Sequence, residues 1–136
     1  MKGRLLIVDG NKSIREQLCS FLCDKGYYAV LCGGFEDAWI LVQCLSFDIA
    51  IADFFINKDS GEDFCRYLAS SRKELPSLII TTSRQSLEIE RHIRGFSPVY
   101  YFIKPCLMED IYSVIVKTME YRNRDKQASR CRWNNY

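Results

Sequence analysis

The sequence predicts a doubly wound α/β sandwich, one layer of parallel strands between two layers of helices. Five short apolar runs alternate with five stretches of helical periodicity. Most of the short runs are apolar throughout, as strands covered on both faces must be. A βα order of this kind needs right-handed crossovers, and these place helices on both sides of one sheet.

The strands are read at Leu5–Val8, Tyr28–Cys32, Ile49–Ala52, Leu78–Thr81 and Val99–Ile103. The helices are read at Lys12–Lys25, Phe35–Leu45, Gly61–Lys73, Ser86–Arg94 and Met108–Arg122. In the first helix Ile14, Leu18, Phe21 and Leu22 recur at helical spacing, and Lys25-Gly26 closes it with a cation and a C-terminal glycine. Ser60 and Asp63 resemble a capping pair for the third helix. In the fifth, Ile111, Val114, Ile115 and Thr118 suit a core face. Tyr112, Val116 and Met119 make a second apolar stripe, expected on the outside for a partner or a second copy.

One domain is expected over residues 1–122, with a basic tail at 123–136. Across this boundary lie Arg122, Arg124, Lys126, Arg130 and Arg132 against Asp125, with Trp133 and Tyr136 interleaved. The tail reads as a solvated helix extension rather than a nucleic-acid module, since no folded DNA-binding motif accompanies it. The net charge of +2 argues for neither nucleic acid nor membrane. No apolar run reaches the roughly 20 residues of a bilayer span, and the short N-terminal apolar stretch lacks a cleavage site, so a cytoplasmic protein is expected. The 7 cysteines contain no C-x-x-C pair and meet a single histidine, His92. They are expected to be small buried hydrophobes and not metal ligands. His92 reads as a surface residue.

In open parallel sheets ligands sit beyond the carboxyl ends of the strands. There the first strand ends at Asp9, the third at Asp53, the fourth at Thr81 and the fifth at Lys104, followed by Pro105. Two carboxylates can hold a hard divalent cation that keeps its waters. A lysine and a hydroxyl can stabilise a phosphoryl oxygen, and a carboxylate can attack phosphorus.

Over about residues 4–121 the chain resembles response-regulator receiver domains. LLIVDGNKSIREQL resembles the family's first strand, acidic turn and helix. DIAIADFFINKDSG places Asp53 at the phosphoacceptor position, PSLIITTS places Thr81 at the hydroxyl position, and YYFIKP places Tyr101 at the switch aromatic and Lys104 at the lysine. The resemblance implies a flavodoxin-like sheet of strand order 2-1-3-4-5. It implies Mg²⁺ held by Asp9, Asp53 and the main-chain carbonyl of Phe55, and transfer of a phosphoryl group to Asp53 from a histidine kinase or phosphotransfer protein. Thr81 and Tyr101 would then re-bias the face formed by the fourth helix, fifth strand and fifth helix, toward a downstream protein or a homodimer.

The sequence also departs from that pattern. Gly10 replaces the second of two adjacent acids, which leaves two readings open. Asp9 rotates, or Asn11 substitutes through its amide oxygen, in a working site of weaker metal affinity; or the domain is a pseudo-receiver that binds partners without phosphate. Phe54 and Phe55 follow the acceptor, either shielding an acyl phosphate from water or simply packing. Asn57 replaces the usual proline, Ser60 the turn acid, and Phe96-Ser97-Pro98 the usual small pair before the fifth strand. Enzymes on similar folds fit less well. Phe55 stands where an aspartate-nucleophile phosphatase needs its second acid, DGNKS is a poor phosphate loop, and no G-x-G-x-x-G is present.

Overall fold

The computed structural model describes residues 1–70 and 75–134, with side chains through residue 128. Its elements are β1 (Arg4–Val8), α1 (Lys12–Asp24), β2 (Tyr28–Cys32), α2 (Phe35–Cys44), β3 (Ile49–Asp53), β4 (Phe55–Ile56), β5 (Asp59–Ser60), α3 (Glu62–Leu68), β6 (Ser77–Thr82), α4 (Leu87–Arg94), β7 (Tyr100–Ile103) and α5 (Met108–Asn134). The main sheet runs β2-β1-β3-β6-β7. All its pairings are parallel. Counting only these five strands, this is the expected 2-1-3-4-5 order. No helix among the described residues is long and apolar enough to cross a membrane.

The period of two along a strand divides the core into two layers. Leu6, Val8, Ala50, Ala52, Leu78 and Ile80 face one layer, packed with Val42, Phe64, Leu68 and Ile93 from α2, α3 and α4. Leu5, Ile7, Ile49, Ile51, Ile79 and Phe102 face the other, packed with Leu18 and Leu22 of α1 and Ile111 and Ile115 of α5. Every residue of β3 is buried. The central strand therefore carries Asp53 into low-dielectric surroundings before its side chain meets any partner.

Local chemistry sets the ends of the elements. α1 closes as expected: Gly26 has φ 97, its N–H donates to Cys23, and the Tyr27 N–H donates to Leu22. That is a Schellman closure, which favours glycine. The capping pair expected for α3 does not form. Gly61 is the N-cap and no side chain bonds there, because Ser60 is taken into a small antiparallel hairpin opposite Phe55. Asn57 turns that hairpin at φ 57, a conformation asparagine tolerates better than most residues. The Lys73 end expected for this helix lies outside the described residues.

Two further expectations change, and one holds. The tail is the solvated helix extension that the sequence suggests: α5 continues past Arg122 to Asn134, with residues 123–128 all exposed. Its supposed outer stripe turns largely inward: Met119 is buried, and Tyr112 packs edge-on against Phe21 and Tyr27. The helix is rolled so that α1 and α5 share these side chains. The cysteines are not uniformly buried either. Cys32 and Cys65 are, whereas Cys23 and Cys44 are exposed. In α1, Ile14, on the first turn, is exposed as well.

Gly61 also shows how tightly the hairpin is seated. Its N–H donates to the Phe54 carbonyl at 2.6 Å, and a Cβ there would stand 2.7 Å from the Phe35 ring. Gly61→Ala should cost about 1–3 kcal/mol through overpacking. Chemical denaturation checks this, with a smaller loss expected when Phe35→Leu is combined with it.

Candidate functional site

Sheet register brings the four predicted side chains to one edge. Val8 pairs with Ala52 and Asp53 with Thr81, so Asp9, one residue past Val8, lies beside Asp53. Thr81 pairs with Phe102, and Lys104 follows two residues later on the same side of the sheet. Lys104 Nζ donates to Asp9 Oδ2 at 2.6 Å and to Asp53 Oδ2 at 3.0 Å. The other oxygen of each carboxylate is also engaged. Asp9 Oδ1 accepts from the Asn11 N–H at 2.9 Å and Asp53 Oδ1 from the Phe55 N–H at 3.3 Å.

These groups are shielded from water. Asp9 is 5 % exposed, Asp53 9 % and Thr81 4 %. Burial raises the Asp53 pKa, and the neighbouring Asp9 charge adds to this. The Lys104 hydrogen bond and charge pull the other way without cancelling the rise. At Lys104 the balance is reversed. Burial disfavours the ammonium, but its bonds to Asp9 and Asp53 outweigh that and hold its pKa above the ordinary lysine value. One cation thus serves two acids, and Asp53 remains the less satisfied partner.

Gly10 leaves the pocket with two carboxylates. Asn11 does not replace the missing acid, because its side chain caps α1 by accepting from the Ile14 N–H at 3.0 Å. The space is filled instead: a Cβ on Gly10 would lie 3.0 Å from Ile56 Cγ2, and Ile56 is buried. Among the described residues no group of three or more His, Cys, Asp or Glu side chains converges. Two carboxylates still suit a Mg²⁺ ion that keeps most of its waters, with less anionic charge to hold it.

The model for the response regulator receiver domain family matches residues 5–116 of this chain. The chain belongs to that family. Over 123 residues this receiver is 27% identical to the alginate biosynthesis transcriptional regulatory protein AlgB of Pseudomonas aeruginosa, covering 89% of this chain and 27% of that protein. It is 28% identical over 113 residues to the response regulator MprA of Mycolicibacterium vanbaalenii, covering 82% and 48%. The chain therefore spans roughly a quarter to a half of these curated relatives. Its fold matches the CheY-like receiver domain protein of Methanospirillum hungatei, with a TM-score of 0.82, 20% identity, and coverage of 90% of this chain and 97% of that one.

Around the receiver's pocket, several side chains take up positions the sequence only partly announced. Thr81 sits next to Asp53 in the sheet. Tyr101 is half-buried and lines a cavity of about 180 Å³ with Thr82, Ile89 and Ile93. Phe54 is buried against Phe96 and against His92. His92 is exposed, as expected, and its ring also stacks on Phe96 while its Nε2 meets Glu62 of α3 at 3.1 Å. Phe55 is half-buried, with the Arg84 guanidinium 4.1 Å from its ring centroid. No sequence motif points to Arg84, whose importance is visible only in three dimensions.

The raised Asp53 pKa has a thermodynamic sign. The unfolded chain releases this proton at lower pH than the folded one, so the contribution of Asp53 to stability is lost as pH rises from the ordinary carboxylate range through its folded pKa. Asp53→Asn should therefore raise the melting temperature at neutral pH. The gain should shrink toward zero as pH falls below the ordinary carboxylate pKa, a trend that thermal denaturation across acidic and neutral buffers would follow.

Proposed function

We propose that this receiver accepts a phosphoryl group on Asp53 and signals through an altered protein-contact surface. The donor is a phosphohistidine of a histidine kinase or phosphotransfer protein, or a small phosphodonor. The observation that carries this reading is the Lys104 ammonium bonded at once to Asp9 and Asp53. A carboxylate held at a strand tip beside a fixed cation is arranged to meet an anionic phosphoryl group.

In the transfer an Asp53 carboxylate oxygen attacks phosphorus. The phosphorus–nitrogen bond of the donor breaks, its electron pair stays on the imidazole nitrogen, and an acyl phosphate forms. Lys104 neutralises the incoming oxygens, and the Thr81 hydroxyl turns to donate to one of them. Asp9, Asp53 and the main-chain carbonyl of Phe55 would hold Mg²⁺, which when bound offsets phosphoryl charge. Tyr101 has the neighbouring cavity into which to move, and this would shift α4 against β7. The face so altered carries exposed Leu87, Val99, Tyr100 and Ile103, which suit contact with a downstream protein or a second copy. Cytoplasmic signalling by protein contact, without nucleic-acid binding by this domain, completes the reading.

A second reading has its own support. With Gly10 in place of an acid, Ile56 in the vacated space and both carboxylates already bonded, the pocket resembles a resting state that needs neither metal nor phosphate. A pseudo-receiver with constitutive partners would follow.

Incubation with phosphoramidate and Mg²⁺ followed by intact mass separates the two. A phosphoryl mass gain that disappears in Asp53→Asn is the expected result; no gain at any Mg²⁺ concentration would leave the pseudo-receiver. Metal affinity provides another check. Gly10→Asp alone should change Mn²⁺ binding, followed by electron paramagnetic resonance, very little. Gly10→Asp with Ile56→Ala should tighten it at least about ten-fold, since added ligand charge and room to place it both matter.

A further inference from the structure

Asp53 is bordered by the strand that follows it, β4, and, past its sheet neighbour Thr81, by the loop after β6; one contact joins these two segments. Phe55 lies in the strand that follows the acceptor, and its own N–H donates to Asp53 Oδ1, so its position is tied to that of the acceptor. Arg84 lies in the loop after β6, two residues before the α4 N-cap Ser86. The Arg84 N–H donates to Thr82 Oγ1 at 3.1 Å, and Thr82 is buried. The root of the arginine is therefore fixed, and its guanidinium lies over the Phe55 ring at 4.1 Å. Behind Phe55, Phe54 backs the ring edge-on at 4.9 Å, leaving it little freedom to retreat into the core.

From this geometry we infer that Arg84 is a positioning residue whose cation–π contact clasps Phe55 across the mouth of the acceptor pocket. The clasp sets how readily phosphodonor and water reach Asp53. It regulates the phosphorylation site proposed above and rests on that reading. A closed clasp slows both arrival of the phosphoryl group and its loss to water, so it changes rates in both directions. The same contact joins the acceptor loop to the start of α4, so opening the mouth and releasing that helix are one event.

The test is a double-mutant cycle read by intact mass, with labelling by phosphoramidate in Mg²⁺ and then decay after donor removal. A cation–π contact at a partly exposed site is worth a rate factor of about two to five. Arg84→Ala should accelerate labelling and decay by that factor, and Phe55→Leu should do the same. The double variant should be no faster than either single one, because both remove one shared contact. Arg84→Lys, which keeps the cation, should recover part of the slow rate, and every variant should stay folded with a melting temperature within a few degrees of wild type. If wild type is labelled but Arg84→Ala leaves both rates unaltered, or if the two effects multiply, the clasp is wrong and the Asp53 reading stands. If wild type takes up no label, both fall together.

Discussion

A single ammonium group holding two carboxylates is the constraint around which this receiver is organised. Lys104 reaches Asp9 and Asp53 from the end of the edge strand β7, across 95 and 51 residues of sequence. Neither acid has another cation within ion-pairing distance among the described residues, so the pocket's charge balance depends on strand register. Slipping a strand by one residue would turn its acid, hydroxyl or lysine to the opposite face. The same register buries alternate side chains in the two core layers, so core packing and site geometry reinforce each other.

The lack of a side chain at position 10 shapes the turn around it. Glycine at position 10 lets a β-branched methyl group approach the turn, and Asn11 next to it is already used to begin α1. Gly10, Asn11 and Ile56 thus leave the pocket with two carboxylates and no further side-chain oxygen from this turn. On the other side of Asp53, two phenylalanines in sequence differ in burial within the same core layer. Phe54 goes inward to His92 and Phe96, and Phe55 goes outward to Arg84. Two adjacent rings therefore connect the segment after Asp53 to the end of α4 and to the loop that begins it.

Much of this was legible in the sequence, for identifiable reasons. β1, β3 and β6 are continuous apolar runs, and a strand covered on both faces has little alternative. The residues after those runs, together with Lys104, fell at the sheet edge because parallel strands all point the same way. Features built from long-range contact were not legible. Ser60 looked like a cap, but the hairpin opposite Phe55 claims it, a pairing too short to leave a pattern. Met119 and Tyr112 formed a stripe whose direction depended on how α5 rolls against α1, which periodicity alone does not fix. Arg84 stood in a polar loop like any other surface arginine, and only the ring beneath it gives it a role.

The long final helix has a mechanical consequence. Near its midpoint Arg122 donates to Ser77 and to the Leu75 carbonyl, while Lys126 approaches Asp48 at 3.6 Å, all at the end of the sheet opposite Asp53. Beyond Arg122, 12 more residues of the helix extend to Asn134, a reach of about 18 Å at 1.5 Å per residue. By geometry alone, a tilt of roughly 10° in α5 about Arg122 would sweep position 134 sideways by about 3 Å over that length.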